Sequence, residues 1–159
     1  MKIYLNNQDF HRMVTNLCTQ LLPIRDKFEW IVGIERGGVY ISSWLAYVLN
    51  KKHTSINISF YGDGDKPTNS VKSSLIWKDH FNTLFYEGVP FLLVDDIVDS
   101  GKTIKFFKHI TEITQNNKPT YWIATLHWCK ENSPDCKPDF YVDEKNINDW
   151  VVYSWENQE

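Results

Sequence analysis

The densest chemistry in the chain lies in Val94-Asp95-Asp96-Ile97-Val98-Asp99-Ser100-Gly101-Lys102-Thr103. Two adjacent carboxylates and a third shortly after them lead into a small hydroxyl-and-glycine turn that opens a helix. Carboxylates accept hydrogen bonds from vicinal ribose hydroxyls or hold magnesium, and the unpaired backbone N–H groups of a helix start cradle a phosphate. One turn of this make-up can hold a ribose 5-phosphate. Two simpler accounts fail on particular residues. Gly101-Lys102-Thr103 ends like a P-loop, but that pattern requires a glycine five residues before Gly101, where Asp96 stands. Helix capping accounts for one acid near the turn, not for three on its strand side.

A second candidate is Glu35-Arg36-Gly37-Gly38, which follows the apolar run Trp30 to Ile34 and precedes the helix-like stretch Val39 to Leu49. It offers a guanidinium and unhindered backbone amides where an anion can dock. Tyr61 and the polar residues after it, Gly62 to Ser70, contain almost nothing that could be buried and read as a mobile loop.

The elements that must position these groups alternate in type. Lys2 to Leu5 reads as a short strand. Phe10, Met13, Val14, Leu17 and Leu21 then recur at helical spacing, with Asn7 or Asp9 as cap and Pro23 closing the segment. Strands are expected at Trp30 to Ile34, Ile56 to Tyr61, Pro90 to Val94 and Tyr121 to Leu126. A helix is expected from Thr103 to about Gln115, with Ile104, Phe107, Ile110 and Ile113 on one face. Strands alternating with helices indicate an α/β fold, a twisted and mainly parallel sheet flanked by helices, whose ligands sit beyond the carboxyl ends of the strands. The loops at 35–38 and 95–103 both fall there. The aromatic, proline-punctuated segment from about Pro134 is expected to cap the sheet as a small C-terminal hood, which divides the chain into a 1–133 core, including the mobile loop at about 62–78, and a 134–159 hood.

Composition narrows the classes. A chain of 159 residues with 42% hydrophobic and 23% charged residues sustains one core and is not a disordered chain. Seven Trp, eight Tyr and nine Phe exceed what so small a core needs, which leaves rings for stacking or subunit contacts. A net charge of -3 with scattered Lys and Arg argues against nucleic acid as a partner. No stretch reaches the ~20 apolar residues of a membrane helix. Cys18, Cys129 and Cys136 are odd in number and no signal peptide opens the sequence, so a reducing, cytoplasmic setting is expected. His127, Cys129 and Cys136 match no usual zinc spacing. His11, His53, His80 and His109 stand apart from any nucleophile, leaving Ser-His or Cys-His hydrolysis unsupported.

The acidic turn resembles the signature by which type I phosphoribosyltransferases bind phosphoribosyl pyrophosphate (PRPP). The resemblance implies that Asp95 and Asp96 face the ribose hydroxyls and a Mg2+ ion, with Glu156 a further candidate ligand, and that Ser100, Gly101, Lys102 and Thr103 wrap the 5-phosphate. Asp99 would sit near the base as the catalytic group. Glu35, Arg36, Gly37 and Gly38 resemble the family's pyrophosphate loop, which often holds a non-proline cis peptide, here Glu35 to Arg36. Tyr61 and the polar stretch match a lid in position. Trp150-Val151, Trp155-Glu156 and Lys130 resemble the hood of the bacterial xanthine-guanine and hypoxanthine enzymes. That implies a purine stacked on an aromatic ring, the Val151 carbonyl near its two-position and the Lys130 ammonium, or its rival Lys137, at a six-oxo oxygen. A lysine offers donors only, so a 6-oxopurine is preferred over adenine. Guanine, xanthine and hypoxanthine remain equal candidates. The family also implies a homo-oligomer, dimer or tetramer, and the competing readings are a nucleotide-binding regulator of the same fold or a transferase for another base.

Overall fold

A computed structural model describes residues 1–61, 72–76, 84, 86–113 and 119–156. Its strands are β1 (Lys2–Tyr4), β2 (Trp30–Glu35), β3 (Lys52–Tyr61), β4 (Lys72–Ile76), β5 (Phe91–Val98), β6 (Tyr121–Trp128), β7 (Phe140–Glu144) and β8 (Trp150–Val152). The helices α1 (Asn7–Leu21), α2 (Gly37–Leu49) and α3 (Lys102–Ile113) alternate with them. Six strands form one sheet in the order β4-β3-β2-β5-β6-β7. All neighbours in it pair in parallel except β4, which runs antiparallel to β3. The sequence's α/β expectation is met.

Alternation along the strands builds two cores. Ile31, Leu92 and Ala124 face α1 and α2, whose Met13, Leu17, Leu21, Ile41, Leu45 and Leu49 pack on them. Val32, Leu93 and Ile123 face the other way, toward Ile104 and Phe107 of α3. Side chains such as Leu17, Phe91 and Phe107 are fully buried, and each contributes roughly 1.5–3 kcal/mol relative to an exposed state.

Several boundaries differ from the sequence reading. The cap of α1 is Asn6, not Asn7 or Asp9: its side chain accepts from the N–H groups of Gln8 and Asp9 at 2.7 and 3.0 Å, while Asp9 reaches back to the Asn6 N–H at 3.1 Å. This reciprocal capping box fixes the start of the helix one residue early. Strand β3 begins at Lys52, because its first residues are held by β2 across the pair Trp30 and Lys52, a contact that local periodicity cannot show. Strand β5 continues through the acids to Val98, and β4, β7 and β8 were not anticipated. The mobile loop expected at about 62–78 lies outside the described residues except for β4, and so does the helix end expected near Gln115.

The C-terminal segment is bound in two ways. Its β7 joins β6 in the main sheet, and β8 pairs in parallel with β1 to form a separate two-stranded sheet. Tyr153, which follows β8, is 2% exposed. Its hydroxyl donates to the Asp96 carbonyl at 3.0 Å and lies 2.8 Å from His127 Nδ1. With the hydroxyl hydrogen spent on Asp96, His127 must donate from Nδ1.

Burial first, and then the nearby charge of Lys145, lower the pKa of His127 from 6.5 to about 4. The unfolded chain therefore binds this proton more tightly than the folded one. The stability His127 contributes is fully present above pH 6.5 and is lost as the pH falls toward about 4, to a limit of about 3 kcal/mol. In His127→Asn the amide nitrogen can replace Nδ1 and nothing titrates. Urea unfolding of the wild type and this variant at pH 7 and pH 4.5 should show the wild type losing more stability on acidification; parallel losses would exclude the assignment.

Candidate active site

The floor of the site is the end of β5. Each acid there is engaged by the chain beside it: Asp95 Oδ1 accepts from the Asp96 N–H at 2.9 Å, and Asp96 Oδ1 from the Ile97 N–H at 2.8 Å. Burial and the adjacent Asp96 charge push the Asp95 carboxyl well above the usual range. Asp96 is raised as well, by burial and then by the charge of Glu156, against the pull of its hydrogen bonds. Two adjacent buried carboxylates in such surroundings favour an approaching cation.

The loop before α2 interlocks with this floor. A Cβ on Gly37 would sit 2.0 Å from Asp96 Oδ2, and one on Gly38 would sit 2.3 Å from the Val94 carbonyl oxygen. The lack of side chains at these two positions lets the loop close onto the strand end. The Glu35–Arg36 peptide bond is cis, as the sequence resemblance implied. The Glu35 carboxylate points down to β3, where it accepts from Ser55 Oγ at 2.7 Å and Asn57 Nδ2 at 3.3 Å. Arg36 stays exposed above it.

Beyond β5 the chain turns through Asp99, Ser100 and Gly101 into α3. Gly101 has φ +72°, a conformation that favours glycine, and a Cβ there would meet Cys136 Sγ at 2.8 Å. Ser100 Oγ lies 3.5 Å from the Lys102 N–H, the first residue of α3, so the turn presents a helix start. A cavity of about 740 Å³ is lined by Glu35, Arg36 and Gly37 on one side and by Asp95, Asp96 and residues 99–103 on the other. Gly38 is not part of its lining.

A smaller cavity, of about 160 Å³, adjoins it and shares Asp96, Asp99 and Glu156. Trp150, Val151, Tyr153 and Lys145 complete its walls. Trp150 is 63% exposed and Val151 is buried. Glu156 Oε2 accepts from the Tyr153 N–H at 2.9 Å. The rings of Tyr153, Trp155 and Tyr40 stack in a column, with centroids 4.6 Å and 4.9 Å apart, so α2 and the hood are in direct contact.

Asp99 faces this second cavity. Its Oδ1 accepts from Asn132 Nδ2 at 3.2 Å and from Lys145 Nζ at 3.1 Å. Burial raises its carboxyl, but the hydrogen bonds from Asn132 and Lys145 and the charge of Lys145 outweigh it, so the group stays below the usual range. Neither lysine named from the sequence reaches the cavity. Lys130 is exposed in the turn after β6, and Lys137 lies over the rings of Trp128 and Tyr141, 5.8 Å from each. Lys145, Tyr153 and Tyr40 went unnoticed in the sequence. Lys145 follows a strand that local patterning did not reveal, and tyrosines carry no spacing signal. Tyr61 ends β3, and the lid expected after it lies outside the described residues.

Among the described residues, no three His, Cys, Asp or Glu side chains form a metal cage. Magnesium needs no such cage, since it binds through one or two carboxylates together with substrate phosphates and water. The Asp95–Asp96 pair has the right donor chemistry, hard oxygen ligands whose mutual repulsion a cation relieves.

Comparison with known proteins agrees with this geometry. A model described as the phosphoribosyl transferase domain matches residues 1–156. The xanthine-guanine phosphoribosyltransferase of Chromohalobacter salexigens is 30% identical over 147 residues, 92% of this chain and 78% of its own. The hypoxanthine-guanine phosphoribosyltransferase of Streptococcus pyogenes is 28% identical over 131 residues, 79% of this chain and 67% of its own. A crystal structure of a purine phosphoribosyltransferase from Pyrococcus horikoshii matches at a TM-score of 0.77 and 25% identity, covering 99% of this chain and 96% of that one. With the acidic turn, the cis loop and the parallel sheet all inside the matched region, the chain belongs to the phosphoribosyl transferase domain family and is a glycosyltransferase of that class.

Proposed function

We propose that the protein transfers the phosphoribosyl group of PRPP to a 6-oxopurine, giving the nucleoside 5′-monophosphate and pyrophosphate, a purine salvage reaction. The observation that carries this reading is the joining of two cavities at Asp99, one with a phosphate-type turn and paired acids, the other with an exposed indole and a buried ammonium. The purine names of the relatives point the same way.

In this reading the 5-phosphate sits on the Ser100, Gly101, Lys102 and Thr103 turn, where helix-start amides meet it. The ribose hydroxyls donate to Asp95 and Asp96, and the pyrophosphate lies along Arg36, Gly37 and Gly38. Glu35 supports that loop from beneath through Ser55 and Asn57. Asp95 and Asp96, with Glu156 beside them, would hold Mg2+, which supplies charge neutralisation for the pyrophosphate. The base stacks on Trp150 beside the Val151 carbonyl, and Tyr61 begins the lid. One ring nitrogen of the base attacks the anomeric carbon, and the bond to pyrophosphate breaks with its electron pair on the leaving group. Asp99, ionised at neutral pH, accepts the proton from the other imidazole nitrogen. The acids at the end of β5 stabilise the positive charge that grows on the ribose ring.

The segment 134–159 acts as the base-binding hood on the 1–133 core. The exposed rings of Tyr40 and Tyr47 on α2 support assembly as a homo-oligomer. The free cysteines Cys18, Cys129 and Cys136 support a cytoplasmic setting, and among the described residues no helix is long and apolar enough to cross a membrane.

Spectrophotometric assay of PRPP and magnesium against hypoxanthine, guanine, xanthine, adenine and uracil tests the reading. Turnover is expected with one or more 6-oxopurines, and PRPP binding without turnover of any base would instead mark a regulatory protein. Asp99→Asn should retain PRPP affinity by calorimetry while kcat falls about 10²- to 10⁴-fold, the span of a positioned general base; unaltered turnover would remove Asp99 from the mechanism. Trp150→Ala should raise the KM for the base roughly tenfold by loss of stacking and leave the KM for PRPP in place. Equal changes in both constants would contradict the hood assignment.

A further inference from the structure

Residues 129–136, which lead from β6 into the hood, fold against the acidic turn from the side away from its ligands. The Cys129 N–H donates to the Val98 carbonyl at 2.9 Å. The Cys129 carbonyl in turn accepts from the Asn132 and Ser133 N–H groups at 3.2 and 3.0 Å and from Ser133 Oγ at 2.9 Å. The Ser133 carbonyl takes the Trp128 indole N–H at 3.2 Å and the Cys136 N–H at 3.0 Å. Asn, Ser and Pro suit such a coil, because their local bonding favours turns over strands. It buries Cys129, Ser133 and Cys136. None of residues 129–136 lines either cavity, so whatever they do for a ligand passes through another group.

That group is Gly101. Its carbonyl accepts the Lys105 N–H at 2.9 Å, the bond that begins α3, and also the Cys136 thiol at 3.7 Å. A Cβ on Gly101 would lie 2.8 Å from Cys136 Sγ, 3.0 Å from Cys136 Cβ and 3.2 Å from Ser133 Cβ. The glycine is therefore fixed from behind by close packing as well as by its backbone conformation. Cys136 also shares a core with Val98 and Ile104, the apolar residues on either side of the turn. On the cavity side the support is weaker. The Lys102 N–H meets Ser100 Oγ at 3.5 Å, the outer limit of a hydrogen bond, which leaves that amide available to a phosphate.

In an inference that rests on the phosphate-turn reading above, we propose that Cys136, backed by Ser133, is a positioning residue that sets the place of Gly101 and through it the affinity of the 5-phosphate subsite. A cradle of amides gains affinity by being built before its anion arrives. Displacing Gly101 turns the Lys102 and Thr103 N–H groups away from the phosphate. Cysteine suits the position because it is small, apolar and still a weak donor. The loop proposed for pyrophosphate, on the opposite wall, has separate support in Glu35, Ser55 and Asn57. A change at Cys136 therefore separates the two anion subsites, weakening one and sparing the other.

The test is calorimetry of the wild type, Cys136→Val, Cys136→Ala and Cys136→Ser in magnesium with two probes, PRPP and inorganic pyrophosphate. Pyrophosphate reports the Arg36 loop, and PRPP reports both anion subsites. Valine adds a methyl group where no space is left, and it should weaken PRPP binding about tenfold, within the energy of an overpacked core position, while pyrophosphate affinity stays within about twofold. Alanine removes the thiol and its bond to Gly101. It should weaken PRPP binding by a smaller factor with the same selectivity, and it serves if the valine variant does not fold. Serine is close in size and can still donate to the Gly101 carbonyl, so Cys136→Ser should keep the wild-type affinity for PRPP. The assignment is overturned if the valine and alanine variants that fold bind PRPP as the wild type does, or if PRPP and pyrophosphate affinity fall together. A wild type without affinity for PRPP removes the underlying reading and this assignment alike, whereas a wild type that binds PRPP with an indifferent Cys136 removes the assignment alone.

Discussion

Like charges held together at the end of a buried strand govern this molecule. Asp95 and Asp96 lie just past the point where β5 ends its pairing with β2 at Val94, and each is tied to the N–H of the next residue. Burial pushes both carboxyls upward, helped by the Asp96 charge at Asp95 and by the Glu156 charge at Asp96. Such a pair is unfavourable in isolation, because carboxylates removed from water and set side by side resist ionisation. A cation and hydroxyl donors would offset that cost, which is the physical ground for the metal-bound sugar phosphate proposed above.

The surrounding backbone is shaped to this pair. Gly37 and Gly38 leave room for the Asp96 carboxylate and the Val94 carbonyl, which brings the start of α2 against the end of β5. Gly101 performs the same service on the other side, where Cys136 fills the space a side chain would need. Two helix starts consequently open into one cavity from opposite sides of the acids, and the field at both favours anions. The positions proposed for the two ends of PRPP follow from that symmetry.

The hood is held to the same strand by polar contacts and not by apolar packing alone. Tyr153 bridges the Asp96 carbonyl to His127 and stacks on Trp155, which in turn stacks on Tyr40. Anything that shifts the backbone at Asp96 therefore moves against both the hood and α2. Asp99 is the hinge between the two cavities. Its charge is kept by Asn132 and Lys145, in contrast to the raised pair four and three residues before it in the chain. Carboxylates on one strand end thus have opposite tendencies because one faces donors and the others face each other.

Local signals revealed β1, β2, β3, β5 and β6, the helices α1, α2 and α3 and the acidic turn, because apolar period, glycine placement and the order of acids are properties of neighbouring residues. The Glu35-Arg36-Gly37-Gly38 loop and the aromatic hood were legible for the same reason, as short runs with unusual chemistry. The sequence by itself also determined which side of the sheet would carry the site, since parallel strands joined by helices leave their loops at the carboxyl ends. Tertiary structure alone decided the remainder. It placed Lys145 and not Lys130 beside Asp99, drew Tyr153 under the acidic turn and recruited β7 and β8 from a segment with little periodicity of its own. These outcomes depend on pairing between residues far apart in the chain, such as Trp128 with Lys145 and β1 with β8. A lysine on the surface and a lysine buried against a carboxylate are the same letter until the strands that carry them have paired.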